Sequence, residues 1–543
     1  MKSQIKISTV CAVALLTLGL AWAAAAAGQQ YAIVDLGTLG GLESKAFDIG
    51  ASGQVVGYTS NASGDYHAFR WDGAIHDLGA IFGANQKMAY SINPSGQIVG
   101  IGYNYGDLTS QAFGWLGGVT SSLGSFSARS INSSNMVVGC LNTPGTTVSQ
   151  VDHACLWQSG SITDLGTLGG SFSYANDINS ISQIVGASYL SDESTIHASM
   201  WHNYTIVDLG TLGGTNSQAY AANDIGKVVG WAQTSSGSVH AFLFTTDVAG
   251  NVTNRADLGA LSSGWSYAYG INNSNQVVGT SGHAFLWDAG ALTDLNSVIP
   301  PASGWVLAGA SAISDMGQIV GWGKNPQGEP HGFLMFPLLT NGNAVKNLAD
   351  AAYVGLSSIA VTAVFDGYFY VENSARTMGI RVVKANHGRT IGQTVMISGS
   401  MKTNSDGERY IDAAIAAPDG TGTVAPLWMT NKSLGGTDWN PSGTPGTGQK
   451  GVTGGAGLNN IGLLVRITGT VTFTGANYFY LNDGSGLKDK SGNVGVKVAA
   501  VGLALPAIGQ VVQVTGVSSC FLDTVNTSRV VLARSPDGIV VVQ

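Results

Sequence analysis

The heptapeptide Asp35-Leu36-Gly37-Thr38-Leu39-Gly40-Gly41, DLGTLGG, returns unchanged at 164–170 and 208–214. Taken alone, a glycine-rich turn beside an acid suggests a phosphate cradle or a catalytic carboxylate. Taken as a repeat, it is scaffold. Looser copies start at Asp77, Ser122, Asp257 and Asp294, making seven. A second signature, HAFRW at 67–71, recurs from Gln111, His153, His197, His240, His283 and His331, at spacings of 42 to 48 residues. A third, QVVG at 54–57, recurs at 97, 136, 183, 227, 276 and 318. Each unit offers four short strands. In the second these lie near Ala89–Ile92, Gln97–Ile101, Gln111–Trp115 and Val119–Leu123, and Asn93-Pro94-Ser95-Gly96 turns between the first two.

Four strands in roughly 43 residues is the size of a β-propeller blade. The last unit ends at HGFLMFP, 331–337, without a fourth strand, while Tyr31–Leu36 precedes any HAF strand. The N-terminal strand is therefore expected to complete the last blade. The fold expected is all-β: a seven-bladed propeller over 28–337, closed by strand exchange between its ends. The combination HAF…W…DLG.LGG…IN..G.VVG, over about 310 residues, resembles the HAF-repeat family of bacterial extracellular proteins. That resemblance implies a secreted propeller-like repeat protein and carries no catalytic residues with it.

Composition agrees. Of 543 residues, 10% are charged and 77 are glycine, which suits many turns and few helices. The first 27 residues have a basic start (Lys2, Lys6), an apolar core (Val10–Trp22) and Ala-x-Ala triplets, the pattern of a secretory signal peptide. No later apolar run is long enough to span a bilayer. A secreted, cell-surface or periplasmic monomer is expected. Residues 28–350 hold 8 basic and 21 acidic side chains, a balance of −13, and residues from 351 onward hold 14 and 11, or +3. The first half should repel nucleic acid and anionic membranes, and the second is too weakly basic to require either.

The repeats also restrict the chemistry. Six of nine histidines open an HAF signature, so they circle a ring and do not converge on one metal ion. A hydrogen bond within each blade is the expected role. The DLG aspartate is expected to cap a turn. The residue four beyond each histidine is Trp, Phe244 or Met335, which points to packing between blades. No G-x-S-x-G, HExxH or P-loop is present, and no cofactor is expected. Cys140 and Cys155 depart together from aromatic positions in one unit. They are expected to form a disulfide, the alternative being two free buried thiols, and Cys520 is left unpaired.

Binding residues are sought where the copies disagree. With the AxxIN strand innermost, the positions just before it circle the mouth: Lys45, Lys87, Ser127, Tyr174, Gln218, Tyr267 and Trp305, with Trp265 nearby. Tyr and Trp among amide and Lys side chains suit a sugar or a polar peptide.

After a linker at 338–350 come two related segments, 351–426 and 461–543, separated by a Gly/Thr/Ser/Pro-rich connector at 427–460. Tyr368-Phe369-Tyr370 matches Tyr478-Phe479-Tyr480, and IGQTVMISG matches IGQVVQVTG. Each segment resembles the OB-fold, a small five-stranded barrel. Outward-facing Tyr368, Tyr370, Tyr478 and Tyr480 could stack on a ligand. The alternative is that they cover the barrel surface or a neighbouring domain. The function expected is a non-catalytic secreted binding or adhesion protein for a carbohydrate or an extracellular protein. The alternatives are a carbohydrate-active enzyme with its site in the mouth, which would need paired buried carboxylates, and a purely structural component.

Overall fold

The computed structural model describes residues 30–542 except 52, 105–108, 142–151, 248, 263, 340–341, 351, 439–447 and 524–525. The expected signal peptide lies outside the described residues.

Six four-stranded antiparallel sheets follow one another along the chain. The first runs Gly40–Ile49, Val55–Asn61, Tyr66–Trp71 and Ile75–Asp77, from the centre outward. Adjacent Val55 and Val56 point to opposite faces, yet both are buried, as are Ala68 and Phe69. A sheet covered on both faces needs apolar residues on both, hence VVG and HAF rather than simple alternation. Trp71, Trp201, Phe244 and Met335 are all buried between sheets, as their interchange in the sequence implies.

The glycine of VVG has a specific cause. A Cβ on Gly57 would sit 1.9 Å from the Lys45 carbonyl oxygen, and on Gly230 1.9 Å from that of Gln218. The innermost strand presses this close because it bulges just beyond: Ala46 pairs with Gly57 and Asp48 with Val56, leaving Phe47 unpaired. The same one-residue bulge recurs in each innermost strand. A bulge re-aims the extra side chain, and here it points into the central channel.

Blades are joined by asparagines. Asn93, Asn132, Asn179, Asn223 and Asn272 each accept amide hydrogens of their own turn on Oδ1. Each also donates Nδ2–H to the carbonyl of the following blade's equivalent residue, at 2.9–3.2 Å. One side chain thus closes a turn and bolts a neighbour.

The seventh repeat contributes Val306–Ile313, Ile319–Lys324 and Pro330–Leu339, and Tyr31–Asp35 pairs antiparallel with the last of these, Tyr31 opposite Pro337 and Asp35 opposite Phe333. These four strands are not a sheet of their own. Pro330–Leu339 runs on past the ring and pairs in parallel with Tyr353–Phe365, through Leu338 and Leu339, making a nine-stranded sheet. The propeller therefore has six blades, not the seven expected, because the last repeat is merged into the sheet of the following domain.

Two small closed five-stranded barrels follow. The first runs Tyr353–Phe365, Tyr368–Glu372, Gly379–Val383, Arg409–Thr421, Gln393–Thr403 and back to the start. The second repeats that order with Leu464–Thr474, Tyr478–Asn482, Val496–Ala499, Asn526–Ala533 and Val511–Asp523. In each, the third and fourth strands of that order are parallel. Phe369 and Phe479 fill the two interiors, so the flanking tyrosines face outward. The stretch 427–460 does more than connect: Leu427–Trp428 adds a parallel strand to the second barrel, and Leu434 enters its core.

The expected disulfide is absent. Cys140 pairs with Ala154, and Cys155 with Gly139. One residue of offset puts the two side chains on opposite faces of the sheet, and both thiols, like that of Cys520, are free.

Gly230→Ala should cost roughly 2–3 kcal/mol, because the added methyl meets backbone that cannot rotate away. At Gly114 the new Cβ would meet the Ser121 hydroxyl at 3.2 Å, a side chain that can yield. Melting midpoints of the two variants should separate clearly, and equal midpoints would refute the close-approach account.

Candidate functional site

The bulge residues form one tier of the channel: Phe47, Tyr90, Arg129, Asn176, Tyr220, Tyr269 and Ser311. They line a cavity of about 190 Å³. Phe47 stacks on Tyr90 with ring centres 4.9 Å apart, and the Arg129 guanidinium lies 4.6 Å from the Tyr90 ring. Tyr220 and Tyr269 meet at 5.2 Å, and Tyr269 approaches Trp322 at 6.0 Å. Asn176 and Ser311 tie this tier to neighbouring strands through the carbonyls of Ala219 and Ala46.

Below it, Asp48, Ser91, Ser130 and Asp177 border both this cavity and a second one of about 430 Å³, which reaches the asparagine turns. Asp48 accepts hydrogen bonds from Ser91 Oγ (2.9 Å) and Ile92 N–H (3.0 Å) of the next blade. Asp177 accepts from Ser130 Oγ (2.7 Å) and Ala222 N–H (3.0 Å). Burial raises both carboxyls against those hydrogen bonds, Asp48 to about 6. Two carboxylates, a guanidinium and an aromatic wall thus share one channel.

At the rim, each HAF histidine meets the DLG aspartate of its blade. His67–Asp77, His153–Asp164, His197–Asp208, His240–Asp257 and His283–Asp294 pair through Nδ1 at 2.7–2.9 Å. His331 makes the same pair with Asp35, across the ring closure. The aspartate's other role is the expected turn cap, as in Gly37 N–H to Asp35 at 2.8 Å. In the one unit lacking both residues, Gln111 Nε2 donates to Ser122 Oγ at 2.6 Å, so the pair changed together.

The positions singled out from the sequence fall unevenly. Lys45, Ser127, Tyr174, Gln218 and Tyr267 occupy the equivalent site, one residue before the alanine that precedes each bulge residue. Lys45 Nζ sits 3.7 Å from the Trp322 ring, and burial lowers its pKa. Gln218 Oε1 accepts from Trp231 Nε1 at 3.4 Å. Tyr267 meets Trp265 at 5.6 Å, and Trp265 is 39% exposed. Lys87 and Trp305 are out of phase. Lys87 lies opposite Gly102, and Met88 holds the equivalent place. Gly309 does so in the seventh repeat, whereas Trp305 packs against Phe333 in the core. Counting forward from DLG fails there because that connection is longer; counting back from the Ile313-Ser314 turn would have found it. The bulge tier itself was missed. Its signal is the first variable residue of AxxIN, aromatic in four of seven copies.

The barrel tyrosines divide as well. Tyr370 is not at the surface. It is fully buried against Val517 of the second barrel and donates its hydroxyl to Glu408. Tyr480 is also buried, its hydroxyl 2.5 Å from Asp489. Tyr368 and Tyr478 are half-buried beneath Arg381 and Lys497.

No family model and no curated protein matches the chain, so the likeness to HAF-repeat proteins rests on the repeat signatures. Among solved structures, the chain is similar to TolB from Acinetobacter baumannii (10% identity, TM-score 0.32, 52% of this chain and 64% of that one). It is similar also to the WD40 β-propeller domain of Doa1 (12%, 0.32, 55% and 96%) and to an Aleuria aurantia lectin mutant (12%, 0.20, 73% and 97%).

Stability should peak on the acid side of neutrality. Burial would raise Asp35, Asp208 and Asp294, but hydrogen bonds from His331, His197 and His283 and from nearby amides outweigh it and hold them low. Their stabilisation is present above pH ~4 and is lost as pH falls through the lowered values. The aspartate hydrogen bonds raise His197 and His331, whose contribution is complete below ~6.5 and is lost as pH rises through the raised values. Asp48 contributes most when protonated, and that contribution is lost as pH rises from ~4 to about 6. A melting series from pH 3 to 9 should show its maximum between about 4 and 6.5, and a maximum above 8 would refute the rim's role.

Proposed function

We propose that this is a non-catalytic binding protein that recognises a carbohydrate in the upper half of the propeller channel. The observation that carries the reading is the bulge tier. Aromatic faces at Phe47, Tyr90, Tyr220 and Tyr269 suit the C–H faces of a sugar, and Asn176, Ser311 and Arg129 suit its hydroxyls. The leader at 1–27 supports export, to the cell surface, the medium or the periplasm. On this reading the repeats belong with HAF-repeat proteins, and the two barrels are OB-like accessory modules.

A second reading has one observation in its favour. Asp48 and Asp177 are paired carboxylates in the channel, and a value of about 6 is one a general acid can use. Each is already committed to a hydroxyl and an amide of neighbouring blades, Asp48 to the second and Asp177 to the third and fifth, which favours binding over turnover.

On a glycan array the secreted protein should retain a defined set of saccharides, and Tyr269→Ala and Tyr220→Ala should each weaken retention about tenfold. Retention of none, or retention indifferent to both changes, would overturn the reading. Release of shortened sugar that stops in Asp48→Asn would establish the enzyme instead.

A further inference from the structure

The two barrels are copies in register, so each position in one has a counterpart in the other. Tyr370 pairs with Arg381 as Tyr480 pairs with Lys497. Tyr410 lies beside Arg381 as Val530 lies beside Lys497, and Thr403 faces Arg409 as Cys520 faces Arg529. Both alignments make Ser528 the counterpart of Glu408.

In the first barrel this face is filled. The Glu408 carboxylate accepts from Tyr370 Oη (2.8 Å) and Ser519 Oγ (3.1 Å) and lies 3.5 Å from Arg381. The second barrel then covers it. Val517 and Ser519, which do the covering, correspond to Ser400 and Lys402, which face the propeller. The domains thus stack head to tail, and the equivalent front of the second barrel is lined by that barrel's own residues and Thr453.

That front keeps the cation without its ion-pair partner: the Tyr480 hydroxyl meets Asp489 as Tyr370 meets Glu408, but among the described residues Asp489 makes no ion pair with Lys497 as Glu408 does with Arg381. Ser528 stands where the acid would be, and a cavity of about 200 Å³ opens between Lys488, Lys497, Phe521 and Ser528. Asp489 lies at its edge but is held by Tyr480 and Asn493. Among the described residues Lys497 forms no ion pair. Its ammonium rests 4.6 Å from the Tyr478 ring and 4.8 Å from Phe521. Among the described residues Lys488, Lys490, Lys497 and Arg529 line this cavity against one acid, Asp489, with Arg529 bonded to the carbonyls of Lys432, Leu434 and Gly454, in a chain of net charge −8.

We propose that this pocket binds the carboxylate of a uronic acid, taking from a ligand the group that Glu408 supplies internally in the first barrel. The carboxylate meets Lys497 and the Ser528 hydroxyl, and the sugar ring lies beside Phe521. The site is separate from the channel and stands without the reading given for it.

Calorimetric titration of the full secreted chain with sodium galacturonate tests this, with glucose and poly-L-glutamate as comparators. Galacturonate should bind, more weakly as salt rises, and glucose should not. Lys497→Gln should weaken binding at least tenfold. Ser528→Glu, which restores the internal acid, should abolish it, and if that variant does not fold, Lys497→Gln decides. Tyr269→Ala in the channel should leave uronate binding unchanged. Absent binding, binding insensitive to Lys497→Gln, loss of binding in Tyr269→Ala, or tighter binding of poly-L-glutamate would each overturn the proposal.

Discussion

Each repeat depends on one place where two backbones come too close for a side chain. Opposite the glycine of VVG, the inner strand's carbonyl occupies the space of a Cβ, 1.8 to 2.1 Å from where it would stand. That approach accommodates the bulge, and the bulge turns one residue per repeat toward the axis. The channel wall is therefore specified by residues that make no ladder bond. They are free to differ from copy to copy while the strands around them stay the same.

Attachment between blades is handled by different groups, and the exceptions are informative. The first repeat has Gly50 where the second to sixth have asparagine, so no amide reaches the second. There Asp48 bonds to Ser91 and Ile92 of the second blade. The two junctions without the asparagine bond are this one and the ring closure, where Tyr31–Asp35 supplies a whole strand. The aspartates of the channel are thus part of what holds blades together as well as part of its surface.

Much of this was legible in advance, and what was not has physical causes. Repeated signatures expose strands, turns and the intra-blade roles of His and Asp, because sevenfold recurrence separates scaffold from site. Phase is harder. A bulge shifts facing by one residue without any distinctive residue type, so Lys87 and Trp305 were misplaced and the bulge tier overlooked. The same one-residue sensitivity undid the Cys140–Cys155 pairing. Alternation around Phe369 and Phe479 identified outward tyrosines correctly, but which face a neighbour covers depends on domain docking, and Tyr370 is buried for that reason. The merging of the last repeat into the first barrel rests on two parallel pairs at Leu338 and Leu339, too short to leave a pattern.

The closing strand has a kinetic consequence. Asp35 and His331 are 296 residues apart in sequence and 2.8 Å apart in space. During synthesis Tyr31–Asp35 has no partner until almost the whole repeat array has emerged, and contacts between distant segments form slowly. Until then Tyr31–Asp35 is an unpaired strand, a template for another chain. Assembly therefore has a defined last event, and the interval before it is when the chain is most exposed to pairing with a copy of itself.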